Sequence, residues 1–141
     1  MYSFRKSKKG FTLIELMVVV AIIAVLALLG LRMYSTQQDK AKEAIVKANA
    51  GTVQVAIQTE LGDHPNYDLD DITVGNFSDL DKLRNPFSGQ DGFANAIFTG
   101  TGKTGTDREG FVGVTFSDPV FTIAAYGKGG KDLNYAPTAQ R

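Results

Sequence analysis

From Phe11 to Leu31 the chain runs for 21 residues with a single charge, Glu15. A run of that length and character can cross a bilayer as one helix. Only 43% of all 141 residues are hydrophobic, so the remainder is more polar and has material for a small core only. Arg5, Lys6, Lys8 and Lys9 precede the run with no acid among them. By the positive-inside rule, Met1–Lys9 stay cytoplasmic and the later part is exported. Beyond residue 9 there are 11 basic and 15 acidic residues. That mildly acidic balance gives no general electrostatic case for nucleic-acid binding. The chain has no cysteine, which excludes disulfides, Cys-ligated zinc and a Cys nucleophile. An exported domain of this composition must hold its last segment by packing and hydrogen bonds alone.

Past the apolar run the helical pattern continues. Ala41, Ala44, Ile45, Ala48, Thr52, Val55 and Thr59 recur at spacings of three and four, one side of a helix. Val46, Ala50, Val53 and Ile57 form an adjoining stripe. No proline occurs between Met1 and His64, so nothing forces a break. Gly62 and then Pro65 are the stop signals. A helix from Phe11 to Leu61 would measure roughly 76 Å at about 1.5 Å per residue. No domain of this size buries such a helix along its length, so about half must enter a membrane or neighbouring subunits. Residues 63–92 read as a long connection folded over the helix, with a short helical turn near Ser78–Leu83. Strands are expected at Phe93–Thr99, Gly110–Phe116 and Val120–Tyr126, the last two joined as a hairpin through Ser117-Asp118-Pro119.

A secretory signal peptide is cut after its apolar region, beside small residues. Here the only distinctive junction lies before it: Lys8-Lys9-Gly10-Phe11-Thr12-Leu13-Ile14-Glu15. This stretch and the apolar residues after it resemble the N-terminus of type IV pilins and pseudopilins. The resemblance covers about 25 residues, with Gly10, Phe11 and Glu15 in register and Tyr34 at a position often tyrosine in the family. It implies cleavage by prepilin peptidase between Gly10 and Phe11, and N-methylation of Phe11. It implies a filament core packed through Leu13, Ile14, Leu16, Val19, Ile22, Ile23 and Leu26, with Glu15 setting subunit register. The chain departs from the family pattern at Arg32, where a proline is common, at Ala24, where a glycine is frequent, and in lacking the disulfide of many pilins.

The physics of Glu15 agrees with that implication. A charge within the apolar span costs several kcal/mol unless paired, about 2.5–3.5 at a helix centre on insertion scales. The cationic N-terminus of Phe11 on a neighbouring subunit is a suitable partner, and an unpaired Glu15 would favour finding it. A plain signal anchor accounts for the apolar run but not for the Gly10-Phe11 junction. Snorkelling of Glu15 toward the interface accounts for a tolerated charge and for nothing else.

Other signals have plain readings. Gly102-Lys103-Thr104 suggests a phosphate loop, but the glycine required five residues earlier is Ile97. Asp63, Asp68, Asp70 and Asp71 beside His64, and Asp91, Asp107, Asp118 and Asp132, read as solvated turn carboxylates; structural calcium, bound by some pseudopilins in such loops, is the alternative. His64 reads as a capping or surface residue. Asn76-Phe77-Ser78 fits a glycosylation sequon, and Ser and Thr residues at 99–106 are O-glycan candidates. Gly127–Gly130 with Lys128 and Lys131 reads as a flexible basic tip, with contact to DNA or an anionic surface left open.

The expected fold is therefore α+β: one long N-terminal helix whose second half packs on a small antiparallel sheet. The expected organisation is a cleaved leader (1–10), a transmembrane and filament-core helix (11–34), its amphipathic continuation (35–62) and a globular head (63–141). The function is structural, with no catalytic residues, metal site or cofactor. The resemblance implies a homopolymer, prepilin peptidase and pilus assembly machinery as partners, an inner-membrane precursor and then an extracellular pilus. The alternatives are a type II secretion pseudopilin in a periplasmic pseudopilus, a minor pilin, and a membrane-anchored binding module that never polymerises.

Overall fold

A computed structural model describes residues 10–73 and 75–140. The basic residues Arg5, Lys6, Lys8 and Lys9, and all of the leader but Gly10, lie outside the described residues. One helix, α1, runs over Leu13–Asp63. It is rich in Ala, Leu and other good helix formers and contains no proline. It stops where Gly62 and Pro65 stand, with His64 N donating a last bond to Glu60 O at 2.7 Å. The chain divides into two compact units, Met1–Gln37 and Gln38–Arg141. The first holds the apolar part of α1. The second holds the rest of α1 and everything after it.

In the second unit the sequence supplies a four-stranded sheet: β1 (Ile97–Thr99), β2 (Val112–Ser117), β3 (Val120–Ala125) and β4 (Thr138–Gln140), in that spatial order. Strands β2 and β3 form the expected antiparallel hairpin, closed at Ser117↔Val120 around Asp118-Pro119. Val112↔Ala125 and Val114↔Ile123 are same-face pairs, and these four residues are buried with Phe121 and Ala139. They meet Val46, Ala50, Val53, Ile57 and Leu61 of α1 in one core. Ile72, Phe77 and Leu80, from the connection after α1, join it together with Phe93, Ala96 and Ile97. A 3-10 turn at Ser78–Lys82 stands where a helical turn was expected.

The periodicity of α1 resolves into a buried and an exposed stripe. The core side is Val46, Ala50, Val53 and Ile57, with Asn49 and Leu61. The companion stripe, Ala41, Ala44, Ile45, Ala48, Thr52, Val55 and Thr59, is exposed throughout, Val55 to 66%. Period alone cannot choose between two adjacent stripes; Val46, Val53 and Ile57 go to the core with Ala50, while Ile45 and Val55 stay outside with Ala41, Ala44 and Ala48.

Three strand expectations need correction. Phe93–Ala96 is a turn of helix, α2, and only Ile97–Thr99 is strand. Gly92, at φ 107°, reverses the chain; Phe93 N is held by Asp81 Oδ1 at 3.0 Å, and Asn95 and Ala96 N–H groups return to Gly92 O. The sheet is also not wholly antiparallel: β1 pairs parallel to β2. Residues 100–111 supply the crossover of about a dozen residues that a parallel pair requires. Strand β4 is the third correction. Three residues, Thr138-Ala139-Gln140, are too few to show alternation in sequence.

One buried polar side chain ties the loops together. Asn85, fully buried, donates through Nδ2 to Asn95 O (3.1 Å) and Glu109 O (3.0 Å). Its Oδ1 accepts from Phe87 N (2.9 Å) and Ser88 N (3.2 Å). Both donors and the acceptor are thus satisfied, as a buried amide requires. Gly110, at φ 78°, passes so close that a Cβ there would overlap the Asn85 side chain. Asn49 Nδ2 bonds Arg84 O at 2.9 Å and joins α1 to the same loop. Asn85→Ala is expected to lower the stability of this unit by about 2–4 kcal/mol, since it leaves buried amides and carbonyls unpaired. Denaturant unfolding of the full chain in detergent, followed by near-UV circular dichroism, reads this loss.

Candidate functional site: the head of the apolar helix

The start of α1 is built by its own first residues. Gly10, Phe11 and Thr12 precede the helix and are exposed. Thr12 N and Thr12 Oγ1 both donate to Glu15 Oε2 at 2.9 Å. Glu15 N returns a bond to Thr12 Oγ1 at 3.3 Å. This is a reciprocal capping box, Thr at the N-cap and Glu three residues on, which satisfies helix N–H groups left without intrahelical partners. Phe11, just before the cap, and Leu16, at the fourth helical position, line one shallow apolar hollow with Ile14, Val18 and Val19; these are the positions of a hydrophobic staple. Glu15 lines the same hollow. Glu15 is therefore held by Thr12 of its own chain. Thr12 was not among the expected site residues, and the signal for it was present: Thr-x-x-Glu just before an apolar run.

Behind this cap the helix presents apolar side chains on all sides. Phe11 is 91% exposed and Leu13 76%. Ile14, Leu16, Val19, Ile22, Ile23 and Leu26 are exposed as well. A helix apolar all round belongs inside a large protein or a membrane, and none of an apolar 18-residue stretch of α1 is buried by the chain itself.

Comparison with known proteins decides what this arrangement belongs to. The family profile for the prokaryotic N-terminal methylation motif matches residues 5–31. The fimbrial protein EcpB of Eikenella corrodens is 36% identical over 115 residues, covering 77% of this chain and 69% of that protein. This chain belongs to the type IV pilin family. The type IV major fimbrial protein FimA of Dichelobacter nodosus is 43% identical over 56 residues, 40% of this chain and 36% of that protein. A probable minor fimbrial protein of the same organism is 41% identical over 71 residues, 50% of this chain and 41% of that protein. No solved structure gives a significant match. The pilin family is a structural one and not an enzyme class.

The remaining candidate residues of the pilin head have local partners. Lys103 Nζ lies 4.3 Å from the centroid of the Phe111 ring. The Arg108 guanidinium covers Tyr126 at 5.0 Å and Phe98 at 5.8 Å, and its Nε donates to Lys103 O. These cation–π contacts fasten the segment that carries Lys103 and Arg108 across the outer face of the sheet. Gly113 lies beneath: a Cβ there would stand 2.6 Å from Phe98 Cζ and 2.9 Å from Tyr126 Cε2. Asp68 and Asp71 carboxylates accept from the backbone of Asp70 and Asp68. Among the described residues no three His, Asp or Glu side chains are grouped to hold a metal. His64 Nδ1 is 3.5 Å from Glu60 and its ring stacks on Tyr67. The sequon residue Asn76 donates to Asp71 O at 2.8 Å.

The basic tip is corrected in one respect. Gly127–Gly130 is a docked turn: Gly130 N and Lys131 O close on Gly127, and Lys128 Nζ reaches Asp39 Oδ2 on α1 at 2.7 Å. The Asp39 carboxylate raises the Lys128 pKa above its ordinary 10.5. A raised folded-state pKa contributes stability in full below the unfolded value, and that contribution is lost as pH rises through the folded one. The turn is thus expected to stay docked at neutral pH and to loosen only above the ordinary lysine range, as amide chemical shifts of 127–131 would report. At the other end, Thr12→Val is expected to cost about 1 kcal/mol at the helix start. Exchange of the Glu15 amide in micelles should then quicken roughly fivefold, with Thr12→Ser restoring protection.

Proposed function

We propose that this pilin is the structural subunit of a type IV pilus filament. It enters the inner membrane by the helix from Phe11 to Tyr34, with residues 1–10 as a leader. Prepilin peptidase cuts between Gly10 and Phe11, and Phe11 becomes the N-methylated first residue. The subunit then leaves the membrane and joins a helical homopolymer, assembled by separate pilus machinery and exposed outside the cell. The observation that carries this reading is the all-round exposure of a long apolar helix with a carboxylate at its head.

Transfer from lipid to filament replaces one apolar environment with another. Leu13, Ile14, Leu16, Val19, Ile22, Ile23 and Leu26 stay out of water throughout and pack against the same helices of other copies. Van der Waals packing and polar contacts, not the hydrophobic effect, must then favour the filament. Glu15 supplies the polar contact. Cleavage frees the Phe11 amine, which until then is a peptide nitrogen without charge. The amine of one subunit pairs with Glu15 of the next, and because the charge is placed once per chain, the pair sets register. Thr12 holds the carboxylate near the helix start, so the partner meets a positioned acceptor.

A second reading, a minor pilin, is favoured by the similarity to a probable minor fimbrial protein. Labelling with antibody against residues 63–141 tests it: continuous label along sheared filaments supports a major subunit, and sparse label a minor one.

Glu15→Ala is expected to leave membrane insertion intact and to abolish surface filaments, read as pilin in the membrane and sheared fractions. Normal filament yield would overturn the register argument. Mass spectrometry of the mature chain is expected to find N-methylated Phe11 as its first residue.

A further inference from the structure

The sheet ends at β4, and a terminal strand presents a row of backbone N–H and C=O groups to whatever can pair with them. Strand β4 spends one edge on β3, through Val120↔Gln140, Phe121↔Ala139 and Thr122↔Thr138, with Ile123 N donating to Pro137 O at 2.9 Å. The other edge belongs to the backbone of Thr138 and Gln140. It meets two glutamines of α1. Gln54 Nε2 donates to Thr138 O at 2.8 Å. Gln58 Nε2 donates to Gln140 O at 3.1 Å, and Gln58 Oε1 accepts from Gln140 N at 3.2 Å.

The Gln58 pair is a two-point ring between a side-chain amide and the backbone N–H and C=O of one residue, the same exchange that the opposed residue of an antiparallel strand would make. Spacing allows it to recur. Residues four apart on a helix lie on one face about 6 Å apart along the axis. Residues two apart on a strand are separated by about 6.6 Å and point the same edge outward. Glutamines at i and i+4 therefore match backbone groups at j and j+2, and Gln54 and Gln58 meet Thr138 and Gln140.

We propose that Gln54 and Gln58 act as a substitute edge strand, which holds β4 in a head without disulfides and closes this edge of the sheet to strand addition by a second copy. This device is separate from filament assembly through the apolar helix. It bears on what happens when many heads are held close together, as the proposed filament would hold them: each β4 would otherwise offer an open edge to the next.

The test uses the full chain in detergent micelles and the variant Gln54→Met/Gln58→Met. Methionine keeps side-chain length and helix propensity and removes the amides. Hydrogen exchange at the Gln140 amide is expected to quicken about tenfold, with Val114 and Ile123 amides unchanged as the sign that the head is folded. With Thr138→Cys added to the otherwise cysteine-free chain, a short bismaleimide is expected to trap several-fold more dimer in the Met variant. Gln58→Glu, which can accept from Gln140 N but not donate to Gln140 O, should fall between and covers the case in which the double variant fails to fold. Unchanged Gln140 exchange overturns the clasp. Faster exchange without extra dimer overturns the closing of the edge.

Discussion

An α-helix whose first half is apolar on every side needs its covering from outside the chain. The described core residues of the head pack with Val46–Leu61, and residues 11–34 are exposed along the apolar half. Lipid or identical helices are the two coverings that leave no apolar surface in water. Both accept the same all-round pattern, so a single helix can pass from one to the other without change of fold. In the proposed filament, a neighbour's amine would give Glu15 a counter-charge that a hydrocarbon interior does not, and Thr12 of the same chain already holds the carboxylate.

The head solves a different problem with little material. Its core is one helix stripe, one face of a four-stranded sheet, three residues from the connection, and Phe93 and Ala96 of α2. Polar side chains complete it where strands are too short to do so. Asn85 replaces missing backbone ladders among three loops, and Asn49 joins α1 to the loop Asn85 organises. Arg108 and Lys103 lie flat on aromatic rings and cover the outer face of the sheet. Each device spends side-chain chemistry on a task that regular secondary structure performs in a larger domain.

Reading order along the chain shows why some of this was legible and some was not. The long helix, the hairpin at Asp118-Pro119 and the Ser78 turn are announced by local signals: absence of proline, alternation, turn formers. Gly10, Phe11 and Glu15 stand out because a junction and a charge at an apolar boundary need no tertiary context. Phe93–Ala96 misleads because an apolar run beside a strand looks the same in either conformation, and only Gly92 and the Asp81 carboxylate make it helical. Thr12 lay within a short motif that the charge of Glu15 overshadowed.

By itself, the sequence determined that an apolar helix with one carboxylate at its head would be carried on a small α+β head, because hydrophobic length, periodicity and charge placement act through near neighbours in the chain. Tertiary structure alone decided which stripe of α1 is buried, that β1 runs parallel, that Lys128 docks on Asp39, and that Gln54 and Gln58 meet β4. Those outcomes depend on partners some 80 to 90 residues away for the last two contacts. Hydrogen bonds over such separations have no periodic trace: a glutamine that clasps a strand and one that faces water are the same letter until the fold brings the strand to it.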